Sequence, residues 1–275
     1  MMDPSSLYRA GGFLFRGFGL LVLLFLALPI VAIIPLSFTA GVELVYPVPA
    51  YSLRWYEDFF TRSEWLLSFR NSMIVGFAVT ILATVIGTLG ALGLYRLPTK
   101  IPSVLSALII LPMAIPGVVA GVAFFYFYAR LGLAGSFAGL ILAHTTMAVP
   151  FVVISVRAAL AGLNPDLAKA AASLGAPPHR AFIRVVMPII LPGVLTGGLF
   201  AFAVSFDDVV IAMYLSGPEQ VTLPRQMFAG VRENISPTVL AASTLMVAFS
   251  VVLMATTSLL TRRAQALRAS PPPDV

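Results

Sequence analysis

Residues 164–193 read NPDLAKAAASLGAPPHRAFIRVVMPIILPG, a polar, helix-forming segment set between apolar runs long enough to cross a bilayer. Asn164 suits a helix N-cap, Pro165 the first turn and Asp166 the positive end of the helix dipole, while Gly175 supplies a left-handed stop. One short helix is therefore predicted from Pro165 to Leu174. Within it Leu167, Ala170, Ala171 and Leu174 recur at i, i+3, i+4 and i+7. That narrow stripe of mostly small side chains admits close approach by another protein. An ordinary amphipathic helix lying in the membrane interface is the alternative. Beyond Pro177 and Pro178 a second helix is predicted, with Ala181, Phe182, Val185 and Val186 on one side and His179, Arg180 and Arg184 on the other. Pro188 is expected to turn the chain back toward the membrane.

Working outward, the rest of the chain is a membrane protein by composition. Of its 275 residues 59% are hydrophobic and only 10% charged, which leaves too little polar surface to cover a water-soluble domain. Six apolar runs stand out, at residues 17–38, 72–95, 103–127, 136–156, 189–212 and 239–260. Each approaches the ~20 residues that a helix needs to cross ~30 Å of hydrocarbon. Each must be helical, because amides in lipid need partners within their own segment. The first run follows basic residues but exceeds the ~7–15 apolar residues of a cleavable signal, so it reads as a retained span. The layout expected is a cytoplasmic N-terminus at 1–16, a single six-span domain at 17–262 and a cytoplasmic tail at 263–275, whose last residues from Ala269 look disordered.

Basic residues fix the expected orientation. Arg9, Arg16, Arg96, Lys100, Arg157, Lys169, Arg180, Arg184, Arg262, Arg263 and Arg268 fall on one side of the six runs. Arg54, Arg62, Arg70, Arg130, Arg225 and Arg232 fall on the other. The positive-inside bias puts the larger set, both termini and the 164–188 loop in the cytoplasm. The 39–70 loop and the loop after Ala212 then face the periplasm. The net charge of +6 needs no nucleic acid to account for it.

Several chemistries are excluded. The chain has no cysteine, hence no disulfide, thiolate metal site or thiol catalysis. Its two lysines, Lys100 and Lys169, lie outside any GxxxxGK[ST] loop, so any ATP-derived energy must come from a partner. His144, inside a span, and His179, in a loop, form no metal-ligand pair. His144 reads as a hydrogen-bonded interior residue. An intramembrane enzyme lacks support, since no HExxH, Ser/His dyad or pair of aspartates on separate spans can be found in the sequence pattern. A secondary transporter or channel would also have six spans and buried carboxylates, and should work without ATP.

Asp207 and Asp208, in SFDDVVIAMY, are the strongest clue to cargo. A charge within a span costs a few kcal/mol, ~2.5–3.5 on insertion scales, and two adjacent charges also repel. On a regular helix the two side chains diverge by ~100°, so one would face a path and the other a neighbouring helix. Phe202, Phe206 and Tyr214 are close enough in sequence to add aromatic faces, which with a carboxylate suit an organic ammonium ion. The alternative is that the acids pair with a base such as Arg225 or mark a helix end. Pro112 and Pro116, which interrupt the third run, make the best candidate hinge, and Gly117/Gly121 and Gly193/Gly197 have small-xxx-small spacing.

The pattern Ala170-Ala171, Gly175 and Met187-Pro188 resembles the cytoplasmic "EAA" loop of ABC-transporter permeases. Together with LPMAIPGVVAGVAFFY and SFDDVVIAMYLSGPEQVTLPRQMFAGVRENISP, it makes nearly the whole chain similar to a permease subunit of spermidine/putrescine ABC importers. Permeases for aminoethylphosphonate, opines or ferric ions share much of this pattern. The resemblance implies an all-α membrane protein with six transmembrane helices in the type I ABC importer permease fold, and a coupling-helix loop at 164–188. Leu167, Lys169, Ala170, Ala171, Leu174 and Gly175 would then dock the ATPase, and Asp207, Asp208, Phe206 and Tyr214 would lie along the substrate path. The implied partners are a second homologous permease subunit, two ATPase subunits that bind the ATP and magnesium, and a periplasmic substrate-binding protein. The chain would sit in the inner membrane, carry no cofactor and catalyse no covalent chemistry. One position departs from the family pattern: Lys169 stands where an acidic residue usually opens the motif.

Overall fold

The computed structural model describes residues 4–97, 101–164, 166–233 and 236–269; side chains are described for residues 15–256 of these, except Ala168 and Glu233, and for Ser258 and Leu259. Pro165, Lys100, the Arg9 side chain and the end of the tail, 270–275, lie outside the described residues.

The described chain is almost entirely helical: α1 (Pro4–Ser37), α2 (Arg54–Thr61), α3 (Ser63–Arg96), α4 (Ile101–Ile110), α5 (Gly117–Arg130), α6 (Phe137–Ala161), α7 (Asp166–Ser173), α8 (Pro178–Ala181), α9 (Met187–Asp207), α10 (Val210–Leu215), α11 (Leu223–Glu233) and α12 (Pro237–Ala269). Five helical stretches are long and apolar enough to span a bilayer, and a sixth span results if the bent pair α4 and α5 is taken together. The described chain divides into two compact units, one running from Ser63 to Ala229 and again from Phe249, the other comprising residues up to Arg62 with Gly230–Ala248.

In the larger unit α3, α6 and α9 pack on one another. Val75, Val79 and Ala83 of α3, Val152, Val153 and Val156 of α6, and Ile190 and Ala201 of α9 form its buried core. Small residues permit the close crossing. A Cβ on Gly193 would fall 2.6 Å from the Ala159 Cβ, and one on Gly197 would fall 2.8 Å from the Val152 Cα. The Gly193/Gly197 interval therefore does sit at a helix contact. Asn71, in the N-terminal third of α3, donates to the Glu219 and Val221 carbonyls at 2.8 and 3.0 Å, and Ser72 Oγ accepts from the Leu223 amide at 2.8 Å. At the other end Arg157 donates to Ser106 Oγ at 2.5 Å, linking α6 to α4.

Two apolar runs depart from straight spans. The third is broken: α4, a 3₁₀ turn at Leu111–Ala114 and α5 bend by 99°. Pro116 forces Ile115 out of the helical region, to φ −80°, ψ 127°, and Pro112 starts the tight turn. In the fifth run the chain does not turn at Pro188. Helix continues over Pro178–Asp207, passing through a π-turn at Phe182–Val186 in which the Met187 amide bonds the Phe182 carbonyl five residues back. That wider turn lets the helix pass Pro188, which has no N–H and would crowd the carbonyl four residues before it. The same run then stops at Asp207, short of Ala212, and resumes as α10.

The 39–70 segment is not all loop, because it holds α2, in the smaller unit, and the first turns of α3, in the larger. Trp55 and Phe59, four residues apart on α2, are buried. Tyr56 and Ser37 share a 2.7 Å hydrogen bond, Arg54 donates to the Ala40 carbonyl at 2.9 Å, and Thr238 donates to Asp58 at 2.6 Å.

Candidate functional site: a coupling loop and a carboxylate break

The site at residues 164–188 begins with capping. Asn164 Oδ1 accepts from the Asp166 amide at 2.9 Å, and α7 follows. It ends in a Schellman turn: the Gly175 amide donates to the Ala172 carbonyl at 2.9 Å and the Ala176 amide to the Ala171 carbonyl at 3.0 Å. Gly175 has φ +81°, the left-handed geometry its position predicts. The stripe is presented outward. Leu174 is 89% exposed, Leu167 43% exposed, Ala170 and Lys169 are exposed and Ala171 is half-buried. Lys169 Nζ sits 2.9 Å from Asp166 Oδ1, both side chains well exposed, so it is paired within its own helix. Ala172 and Ala176 help to line a cavity of about 330 Å³ together with Leu92 and Tyr95 of α3 and Leu160 of α6. The following turns bury Ala181 and half-bury Phe182, Val185 and Val186, while His179, Arg180 and Arg184 stay exposed.

The membrane site is built on the end of α9. Because the helix stops there, Asp207 and Asp208 do not share a regular helical phase: Asp207 is the last residue of α9, and Asp208 is extended at φ −72°, ψ 119°. The Asp208 Oδ1 accepts from the Ile211 amide at 2.8 Å and the Ala212 amide at 3.3 Å, covering the first turn of α10. Asp207 is exposed. Both carboxylates and Phe206 share the wall of a cavity of about 580 Å³ with Phe200, Ala203, Ser250 and Met254. Phe206 is buried, stacked on Phe202 at 5.5 Å between centroids and set against Phe249 at 5.0 Å.

Tyr214 does not line this cavity; its ring lies against Gly121, where an added Cβ would come within 2.5 Å. Arg225 does not serve the aspartates either. Its Nη1 donates to the Ser216 carbonyl at 2.5 Å and Oγ at 2.6 Å and reaches the Gly217 carbonyl at 3.3 Å, pinning the Ser-Gly-Pro turn, and burial draws its guanidinium below the usual arginine pKa. His144, by contrast, does belong to the site. Almost wholly buried on α6, it shares a 3.0 Å hydrogen bond with Ser205 Oγ through Nδ1 and holds Nε2 3.6 Å from Asp208 Oδ1. The helix break was legible in principle, since an aspartate directly before an apolar run is a helix-start signal. The contribution of Ser250 and Met254 from α12 was not.

Residues 83–266 match the family described as the binding-protein-dependent transport system inner membrane component. The chain belongs to that family. This permease is 30% identical over 251 residues to the spermidine/putrescine transport system permease protein PotC of Haemophilus influenzae, covering 91% of the chain and 97% of that relative. It is 29% identical over 228 residues to the putrescine transport system permease protein PotI of Escherichia coli K12, covering 80% and 81%. Among solved structures, a chain of a bacterial ABC transporter for import of the polysaccharide alginate superposes with a TM-score of 0.70 over 94% of the permease and 98% of that chain, at 17% identity. That likeness shows the shared importer-permease fold. The permease is thus a multi-pass inner-membrane protein of the type I importer fold, as its apolar helices imply.

Proposed function

We propose that this permease passes polyamine cations, putrescine or spermidine, from a periplasmic binding protein into the cytoplasm, driven by ATP that partner ATPase subunits bind with magnesium and hydrolyse. The observation that carries the cargo assignment is the exposed Asp207 carboxylate at the end of α9, set beside Phe206 on a cavity of about 580 Å³. An exposed carboxylate on a largely apolar cavity attracts an organic ammonium by charge. The likeness to PotC along nearly the whole chain supports the same cargo. A second homologous permease would close the path. The α7 stripe would receive the ATPase, and both termini would lie in the cytoplasm with it. The chain itself performs no covalent chemistry.

Uptake of labelled putrescine and spermidine is the test, in cells that lack this gene and carry wild type or Asp207→Asn at matched membrane expression. Wild type should restore uptake, and Asp207→Asn should lower it at least tenfold. An assembled importer that restores no uptake of either polyamine would refute the cargo.

A further inference from the structure

Of the two histidines His144 is the buried one, and its surroundings assign it more than a packing role. It is buried to 1% exposure, and its Nε2 has no hydrogen-bond partner although it points at the helix break, 3.6 Å from Asp208 Oδ1. That separation is too long for a hydrogen bond, so the contact is electrostatic and closes with a small movement. Nδ1 is occupied by Ser205 at 3.0 Å. With the ring hydrogen on Nε2, the serine hydroxyl donates to Nδ1 and the N–H faces the carboxylate. The same Oδ1 takes the Ile211 and Ala212 amides. Three elements thus converge on one oxygen: α6 through His144, the start of α10 through two amides, and α9 through the chain that carries Asp208 itself.

We propose that His144 is a positioning residue for cargo transfer: anchored by Ser205, it holds Asp208 as the cap of α10, fixes the break in the fifth span, and leaves Asp207 as the carboxylate that meets the cargo. The two adjacent acids then have different tasks. Asp208 is committed to amides and imidazole, whereas Asp207 has an open face on the cavity. A paired and capped carboxylate tolerates burial far better than a bare one. The role assigned to Asp207 rests on the polyamine reading, but the hold on Asp208 does not.

The test uses the complete importer in its membrane. The chain has no cysteine, so Val209→Cys places a single reporter thiol in this subunit at the break. His144→Leu should change the rate at which a membrane-impermeant maleimide labels that thiol by at least threefold, while His144→Gln, which can still reach both partners, should stay within twofold of the parent. Spermidine uptake should fall at least tenfold in His144→Leu and at most threefold in His144→Gln. Adding Asp208→Asn, which keeps the Oδ1 acceptor for the two amides but removes the charge that His144 faces, should recover uptake of His144→Leu at least fivefold. A packing role alone predicts no such recovery. Unchanged labelling in His144→Leu, or a defect that Asp208→Asn leaves as deep, overturns the proposal. If His144→Leu does not reach the membrane, His144→Asn, polar but too short to bridge both partners, replaces it with the same expectations. Should wild type transport no polyamine, the cargo reading falls and the labelling series alone decides the role of His144.

Discussion

Gly175→Ala isolates the backbone demand of the coupling loop. Nothing lies within 4 Å of a Cβ built there, so the added methyl meets no neighbour and the cost is conformational. At φ +81° an L side chain costs roughly 1–2 kcal/mol. The two Schellman hydrogen bonds, at 2.9 and 3.0 Å, are made only while that geometry holds. If the turn opens, α7 extends or frays and its exposed Leu167 and Leu174 leave the arrangement that would meet the ATPase. A penalty of that size lowers the fraction of correctly turned loops by a factor of up to about 5–30. The apparent affinity for the ATPase falls by the same factor, because binding must first restore the turn. Gly175→Asn should weaken binding far less, since asparagine accepts the left-handed region. The assay titrates purified ATPase onto inside-out vesicles carrying the permease pair and follows ATP-driven uptake in the same vesicles. Equal ATPase affinity in wild type and Gly175→Ala would refute the claim that this turn pre-forms the docking surface.

Gly193→Val drives a side chain into Ala159 and the Ser155 carbonyl, and overpacking of this kind costs about 1–3 kcal/mol. Its thermal unfolding in detergent should shift downward, while Gly93→Ala, with open space around the new methyl, should not be destabilised. Arg225→Lys gives up the guanidinium Nη1 that reaches Ser216 and Gly217, and replaces it with an ammonium on a side chain of different reach and geometry. Limited proteolysis should then cut the 216–223 turn faster, and a rate equal to wild type would show that the turn holds without the guanidinium.

Length and hydropathy were enough to place the spans, because a bilayer imposes one length on every helix that crosses it. They were not enough to shape them. The third run carries the apolar length of a span, but Pro116 acts on the residue before it, and the result is a 99° bend rather than a kink. At Pro188 the proline signal pointed to a turn, and a π-turn upstream absorbed it. The coupling loop was legible because its signals are local: Asn164 caps, Gly175 stops, and both act within a few residues. The carboxylate site was only half legible. Two acids inside an apolar run announce a costly position, yet their separate roles depend on α6 and α12, which lie some sixty and forty residues away in sequence. Tyr214 was grouped with them by proximity along the chain, but the break after Asp207 sends its ring to Gly121 instead.

The two sites are the ends of one element. Helix continues from Pro178 to Asp207, thirty residues, or about 45 Å at 1.5 Å per residue, from just past the coupling loop to the carboxylate break. Its middle is clamped against α6 through Gly193 and Gly197, so a push at the loop cannot be lost by sliding apart from its neighbour. Its two ends are irregular, with a π-turn at Phe182–Val186 and an extended residue at Asp208. Irregular backbone absorbs a change of angle at less cost than a regular helix, and here it sits where a rod driven from one end would need to pivot and to release. Ser205 lies two residues from the end of that rod and holds His144 of α6, so axial or rotational movement of the helix pulls on the imidazole facing Asp208. If an ATPase displaces α7, the movement would cross the Gly175 turn, enter the helix at Pro178 and reach the carboxylates through that helix and a single buried hydrogen bond.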